Sequence, residues 1–298
     1  VGDDKIYPER LAEARQKISH RPAARFPDDI ADKQQLHGRH GTPPNPPRKA
    51  QQQFAGELEA EAFGDYDFAV PLKISEASIH EIQLKTRMPF KYGIATMTEV
   101  PMVFVRLKTE MDGRPSSGIA SDLLPPKWFT KVPDDPLDKE IADMLRVIRR
   151  AMTHAIGVEA PTAFAAWQDI YTAQAAWAQS ESVAPLLAHF GTSLVERALV
   201  ESACRATGQA LGQALRDGTL GFEPEAIHPA LVNRSAAELL PEQPLAKVLA
   251  RHTIGLADPL SAEAIPGDER LDDSLPQSLD QCIRTYRLCH FKIKINGD

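Results

Sequence analysis

The chain has 298 residues, of which 43% are hydrophobic and 25% are charged, and its formal net charge is -7. These values are ordinary for a soluble globular protein, and the length allows two domains with a sizeable core. Its basic residues form no cluster of the kind that nucleic-acid-binding proteins present. It has no apolar run of about 18 residues, as a membrane span requires. We therefore expect a small-molecule substrate, with neither nucleic acid nor a membrane as a partner.

The cysteines and the N-terminal residues give information about the cellular compartment of the protein. Cys204, Cys282 and Cys289 are an odd number without a CxxC pair, which argues against a disulfide scaffold or a zinc ribbon. The first residues lack the apolar centre of a signal peptide. We predict a cytoplasmic protein. Because the sequence begins with Val rather than Met, we expect it to be incomplete or processed at that end.

Residues 1–70 differ in composition from the rest of the chain. The segment 37–49 reads HGRHGTPPNPPRK, and Gln51 begins a run of three glutamines. Closely spaced prolines favour an extended linker over a packed element. We interpret 1–70 as a loosely ordered Pro- and Gln-rich extension.

The pattern of residues 71–123 predicts an antiparallel meander. Alternation over 73–85 indicates a strand with an irregularity near its middle, and 101–110 and 116–121 indicate two more strands. Asp112 and Gly113 form a strong hairpin-turn signal. The Pro- and Gly-containing stretch 87–99 is predicted to be a loop.

A helical period begins after residue 136. The predicted helices cover 137–157, 162–178 and 192–215, with 216–250 less regular. The first has one apolar face, made of Ile141, Leu145, Ile148 and Met152. Pro161 opens the second helix. Strands followed by helices predict an α+β domain over 71–250.

Capping signals place the start of the third of these helices. Thr192 or Ser193 is a candidate N-cap, and Glu196 lies at the capping-box distance from Ser193. This helix is the clearest one that the sequence predicts.

Residues 251–298 change pattern again. The segment 252–256 reads as a short strand, 275–286 as a helix with Ser274 as its cap and Pro276 at its first position, and 290–297 as a second strand. Strand, helix and strand predict a βαβ unit and a parallel sheet. One such unit cannot close a domain, so we interpret it as the start of an incomplete (β/α) barrel.

The second strand carries the chemistry. Because side chains alternate along a strand, His290, Lys292 and Lys294 share one face, while the apolar residues between them share the other. Inside a barrel, desolvation and like charge lower a lysine pKa and create a general base. Barrel sites lie at the C-terminal ends of the strands, which favours Lys294 over Lys292 for proton transfer. Outside such a context, a Lys-x-Lys strand simply faces solvent.

Three stretches carry a family resemblance. TRMPFKYGIATMTEVPMVFVRLKTEMDGRPSSGIA (86–120), SLVERALVESACRATGQAL (193–211) and RLCHFKIKINGD (287–298) occur in this order. The chain over about 72–298 thereby resembles the enolase superfamily, in particular its muconate-lactonizing subgroup and the related mandelate racemases. The stretches look like the first two strands of a capping domain, the helix leading into the barrel, and the second barrel strand.

The resemblance implies a mechanism. Enzymes of this superfamily remove the α-proton of a carboxylate substrate, with Mg²⁺ stabilising the resulting enediolate. By position, Lys294 would be the acid/base, and Lys292 would tune its pKa or hold the carboxylate. The reaction would be an isomerisation, epimerisation or cycloisomerisation.

The resemblance also implies substrate-contacting loops. The segment 87–99 matches a capping loop, in which Phe90, Tyr92 and Met97 could supply an apolar lid. The segment 118–131 is expected near the barrel mouth, with Trp128 and Phe129 forming an apolar projection. Packing inside the capping domain is the alternative role for these side chains.

The chain differs from the family in its metal ligands, and this difference determines the activity that we expect of it. The family's metal ligands are three acids on the third to fifth barrel strands, and neither Asp258 nor Asp298 matches one. We therefore expect a fragment without its Mg²⁺ ligands, inactive alone, from a parent isomerase or lyase. The alternative is a non-catalytic interaction or remnant protein, whose open strand edges favour association, including as a homo-oligomer.

Overall fold

The structure is a computed structural model and describes residues 70–92, 94–130, 132 and 134–295. The predicted extension, except Val70, lies outside these residues, as do Asn296, Gly297 and Asp298.

One four-stranded antiparallel sheet has the strand order β3-β2-β1-β4. The strands are β1 (Leu72–Tyr92), β2 (Ala95–Met111), β3 (Arg114–Leu123) and the two-residue β4 (Glu159–Ala160). The turn between β2 and β3 has φ angles of 48° at Asp112 and 70° at Gly113, the left-handed pair that a tight hairpin needs. The predicted meander and its turn are confirmed.

The helical part begins after β3. The helices are α1 (Leu137–Ala155), α2 (Ala163–Ser180), α3 (Pro185–Thr207), α4 (Leu211–Arg216), α5 (Pro224–Ile227) and α6 (Ala236–Leu239). The α+β class predicted for this part of the chain is confirmed.

The predicted start of α3 is wrong. The helix begins at Pro185 rather than near residue 192, and the Ser193 hydroxyl donates to the Phe190 carbonyl within it. Gly191 lies inside the helix, where an added Cβ would be 2.2 Å from the Val147 carbonyl oxygen. This glycine therefore serves close packing on α1. The helix ends before Gly208, whose φ of 68° is a typical helix C-cap.

The core lies between one face of the sheet and the helices. Alternate residues of β2 point into it, and Leu107 is fully buried there, as are Ile148 of α1 and Leu194 of α3. Gly118 of β3 permits close contact with α3, because a Cβ at this position would lie 1.9 Å from the Ala198 carbonyl oxygen. These contacts make β1–β3, α1 and α3 one packed unit.

A two-stranded parallel sheet follows. Strands β5 (His252–Ile254) and β6 (Phe291–Ile293) are joined through α7 (Leu279–Tyr286) and pair in parallel. The predicted βαβ order is confirmed, but the predicted helix start near residue 275 is wrong. Ser278 caps α7 and forms a capping box with Gln281, while Ser274 has a left-handed φ of 62° and lies in the preceding turn.

Candidate functional site

The sequence-predicted loop 87–99 is an extension of the β1–β2 hairpin. Lys85 pairs with Glu99 and Phe90 pairs with Met97, so four residues of β1 oppose the single Thr98 of β2. The Thr86 hydroxyl lies 3.1 Å from the Thr98 carbonyl oxygen and stabilises this bulge. The loop prediction is wrong because Pro89 and Gly93 suggested a break, whereas the alternation of half-buried and exposed residues continues.

The hairpin tip forms one wall of a cavity of about 440 Å³. The end of β3, the segment after it and one residue of α3 form the other walls. All four residues predicted to contact substrate line this cavity, which is formed by Phe90, Tyr92, Met97, Asp122, Leu123, Pro125, Trp128, Phe129 and Phe190. We call it the aromatic pocket.

The aromatic side chains of the pocket contact one another. The rings of Phe90 and Tyr92 stack with their centroids 5.8 Å apart, and Tyr92 lies 6.3 Å from Trp128. Phe129 and Phe190 are 4.9 Å apart on the opposite side. Trp128 is 57% exposed, so its indole is open to solvent at the edge of the pocket. Such an apolar surface suits an apolar ligand body.

Tyr92 joins the two sides of the pocket. Its side chain is buried, and its hydroxyl donates to the Pro126 carbonyl oxygen at 2.7 Å. Burial raises the pKa of Tyr92, and the negative charge of Glu140 raises it further. The phenol therefore stays protonated and remains a hydrogen-bond donor well above neutral pH.

A buried ion pair supports the segment that carries Trp128. The Lys127 ammonium donates to a Glu140 carboxylate oxygen at 2.7 Å and to the carbonyls of Val132 and Asp135, each at 2.6 Å. The Lys127 amide donates to the other Glu140 oxygen. Lys127 also has a left-handed φ of 60°. These bonds hold a strained backbone and fix the direction of the neighbouring Trp128.

The sequence did not predict this ion pair. Lys127 and Glu140 are 13 residues apart, a separation that matches no local motif. The available signal was a single lysine among apolar neighbours in the segment PPKWF, because a lysine is rarely buried without a partner.

The predicted catalytic lysines lie outside the aromatic pocket. Lys292 is in β6, opposite Thr253, and is exposed. Lys294 follows the strand, is partly buried, and its amide donates to the Ile254 carbonyl at 3.0 Å. Ile293 and Ile295 of the apolar face are 60% and 83% exposed, whereas Phe291 on the same face is partly buried.

The residues present do not fit a metal ion. Within 70–295, apart from the undescribed positions, no three His, Cys, Asp or Glu side chains form a group that could hold one. Asp258 accepts a hydrogen bond from the Gly255 amide at 2.7 Å and so shapes a turn.

Two further findings concern the described residues only. Cys204, Cys282 and Cys289 are free thiols. No helix in this part of the chain is both long and apolar enough to cross a membrane.

The described residues form an α+β unit followed by a βαβ unit. The chain matches no protein-family model and no curated protein. It is similar to the muconate lactonizing enzyme from Pseudomonas fluorescens complexed with muconolactone, with 16% identity, a TM-score of 0.44, and coverage of 76% of this chain and 46% of that one.

Two other solved structures are similar to it. A mandelate racemase/muconate lactonizing enzyme-like protein from Rubrobacter xylanophilus has 19% identity and a TM-score of 0.34, covering 48% of this chain and 33% of that one. An enolase from Bradyrhizobium complexed with magnesium and mandelic acid has 11% identity and a TM-score of 0.35, covering 49% and 35%. The chain thus spans a third to just under half of these proteins.

Proposed function

We propose that this chain is part of an enolase-superfamily enzyme that removes the α-proton of a carboxylate substrate, as an isomerase, cycloisomerase or epimerase does. The observation that carries the proposal is Lys292 on β6 and Lys294 directly after it, at the end of a strand that pairs in parallel with β5. A lysine at the end of a parallel strand is where such a fold places its chemistry.

In the proposed reaction the Nζ atom of Lys294 takes the α-proton. The Lys292 side chain, two residues earlier, stabilises the negative charge that develops on the substrate carboxylate. The superfamily's Mg²⁺ would supply further charge stabilisation, but its ligands are not among the described residues. The two lysines therefore account for one half of the mechanism.

The aromatic pocket supports an apolar substrate portion. Its lining contains Asp122 as the only charged residue among those described, and Arg197 pairs with Asp122 at 2.8 Å. A substrate carboxylate has no cation to meet there, so it would be held by the lysine strand. We propose that Phe90, Tyr92, Met97 and Trp128 contact the remainder of the substrate.

The test is solvent exchange of the α-proton. Carboxylates with different apolar substituents are incubated with the chain in deuterated water while Mg²⁺ is titrated, and deuterium incorporation is followed by NMR. Any exchange that the chain catalyses should be lost in Lys294→Ala and reduced in Lys292→Ala. Lys247→Ala, at an exposed lysine in the segment before β5, is the control and should leave exchange unchanged. No exchange with the unaltered chain at any Mg²⁺ concentration would contradict catalysis by this chain.

The second candidate is a non-catalytic interaction protein. The last part of the described chain exposes several large apolar side chains, which favours this candidate. Leu245, Val248, Leu249 and Ile295 are each 73–85% exposed. Contiguous exposed apolar groups mark association surfaces. A concentration-independent monomer in analytical ultracentrifugation, with one sharp thermal transition, would count against this candidate.

A further inference from the structure

Arg87 connects two parts of the chain that are distant in sequence. It lies in the four-residue bulge of β1, and its guanidinium reaches the turn before α7, which is 186 to 189 residues away. Nε donates to one oxygen of the Asp273 carboxylate at 2.5 Å, and Nη2 donates to the other at 2.7 Å. This is the bidentate geometry in which arginine binds carboxylates most strongly.

The turn presents further acceptors to the same guanidinium. Nη2 also lies 3.1 Å from the Leu275 carbonyl oxygen, and Nη1 donates to the Pro276 carbonyl oxygen at 3.0 Å. Asp273 in addition accepts from the Leu275 amide at 3.1 Å, while Ser274 has a left-handed φ of 62°. The turn is thus folded around the arginine, since one carboxylate and two carbonyls converge on one side chain.

This arrangement differs from an ordinary surface ion pair. An exposed pair contributes little, because water competes and two long side chains must be ordered. Arg87 and Asp273 are only 30% and 37% exposed, and lysine could not reproduce the fork of donors that engages the carboxylate and both carbonyls. Lys85 pairs with Glu99 on the same hairpin, with the two side chains 80% and 51% exposed, and represents the ordinary case.

The two segments that Arg87 joins carry the two halves of the candidate site. Phe90 and Tyr92 follow it directly in β1 and line the aromatic pocket. The turn at 273–276 leads into α7 and then into β6, which carries Lys292. We propose that Arg87 is a positioning residue that holds the hairpin tip against the βαβ unit, and so sets the aromatic pocket relative to the lysine strand.

The catalytic meaning of this positioning rests on the proposed function, whereas the coupling itself does not. It predicts that the hairpin tip and the turn loosen together when the fork of donors is lost, even if the positive charge is kept. A residue with a merely structural role would instead weaken the whole unit.

The experiment is hydrogen–deuterium exchange with mass spectrometry on the full chain. Arg87→Lys should speed exchange by about tenfold in peptides covering both 86–98 and 271–278, the effect of losing hydrogen bonds to a charged group. Peptides covering the core of β2, around Leu107, should exchange as before. Asp273→Asn should reproduce the same joint change from the other side of the contact.

Lys85→Gln is the matched control, because it removes a hairpin ion pair without touching the turn. It should leave the 271–278 peptide unchanged. Arg87→Lys exchange equal to that of the unaltered chain, or a change confined to one of the two segments, would overturn the proposal. A chain that shows the joint change but no α-proton exchange would support the coupling and reject the proposed reaction, so the two failures are distinguishable.

Discussion

The α+β unit and the βαβ unit are stabilised in different ways. In the first, the sheet and the long helices share a core in which Leu107 and Ile148 are fully buried. In the second, the strands have three residues each, and Ile293 on β6 is 60% exposed. The first unit closes around its own apolar residues. The second has few buried apolar residues, among them Leu279 and Cys282, and relies in addition on backbone pairing and on polar contacts such as that of Arg87.

The largest expected effect concerns the buried ion pair of the first unit. Glu140→Gln leaves the Lys127 ammonium without its charge partner, with the two side chains only 6% and 5% exposed. Breaking such a pair costs about 3–5 kcal/mol of unfolding free energy. Urea denaturation measures this loss. The same variant should lower the pKa of Tyr92, because the Glu140 charge helps to raise it.

A control for this substitution lies one residue earlier. Lys139 forms ion pairs with Asp135 and Asp143 on the surface, and Lys139→Gln should leave the unfolding free energy nearly unchanged. If the two variants were equally stable, the Lys127–Glu140 pair would have no special role in supporting the pocket wall.

A smaller loss of unfolding free energy tests whether the two units differ in their packing. Leu107→Ala opens a cavity in the first core and should cost about 2–5 kcal/mol. Ile293→Ala on the exposed face of β6 should change stability by no more than about 0.5 kcal/mol. Denaturation curves of both variants provide the measurement. A large loss for Ile293→Ala would mean that β6 is packed in solution, as it would be inside a closed barrel or an oligomer.

Local chemistry made part of this structure predictable. Alternation revealed the three long strands, the left-handed pair Asp112 and Gly113 revealed their turn, and the strand–helix–strand order revealed the parallel pair. Each signal acts over a few residues, and each is read directly from the side chains involved.

Features that depend on distant contacts were not predictable. Thr192 and Ser193 suggested the start of α3, yet the helix begins at Pro185, and Gly191 lies inside it where its lack of a side chain permits packing against Val147. The candidate site shows the same limit. Its aromatic residues were identified because the hairpin sequence carries them, whereas the Arg87–Asp273 contact joins residues 186 apart and has no sequence signature.

The smallest expected effect is the pH dependence of the contact between the two units. Hydrogen bonding to Arg87 lowers the pKa of Asp273 to about 2, against about 3.9 in an unfolded chain. Because the folded pKa is the lower one, the contribution of this carboxylate is complete above about pH 4 and is lost as the pH falls through about 2. After correction for the intrinsic exchange rate at each pH, hydrogen exchange in 86–98 and 271–278 should therefore accelerate jointly across that window.

Other carboxylates titrate in the same window, so the informative quantity is the difference between the unaltered chain and Asp273→Asn. The variant should start with fast exchange in both segments and show little further change as the pH falls. An equal acceleration in both proteins would mean that acid acts elsewhere in the chain, and that the two units are held together by contacts other than the one between Arg87 and Asp273.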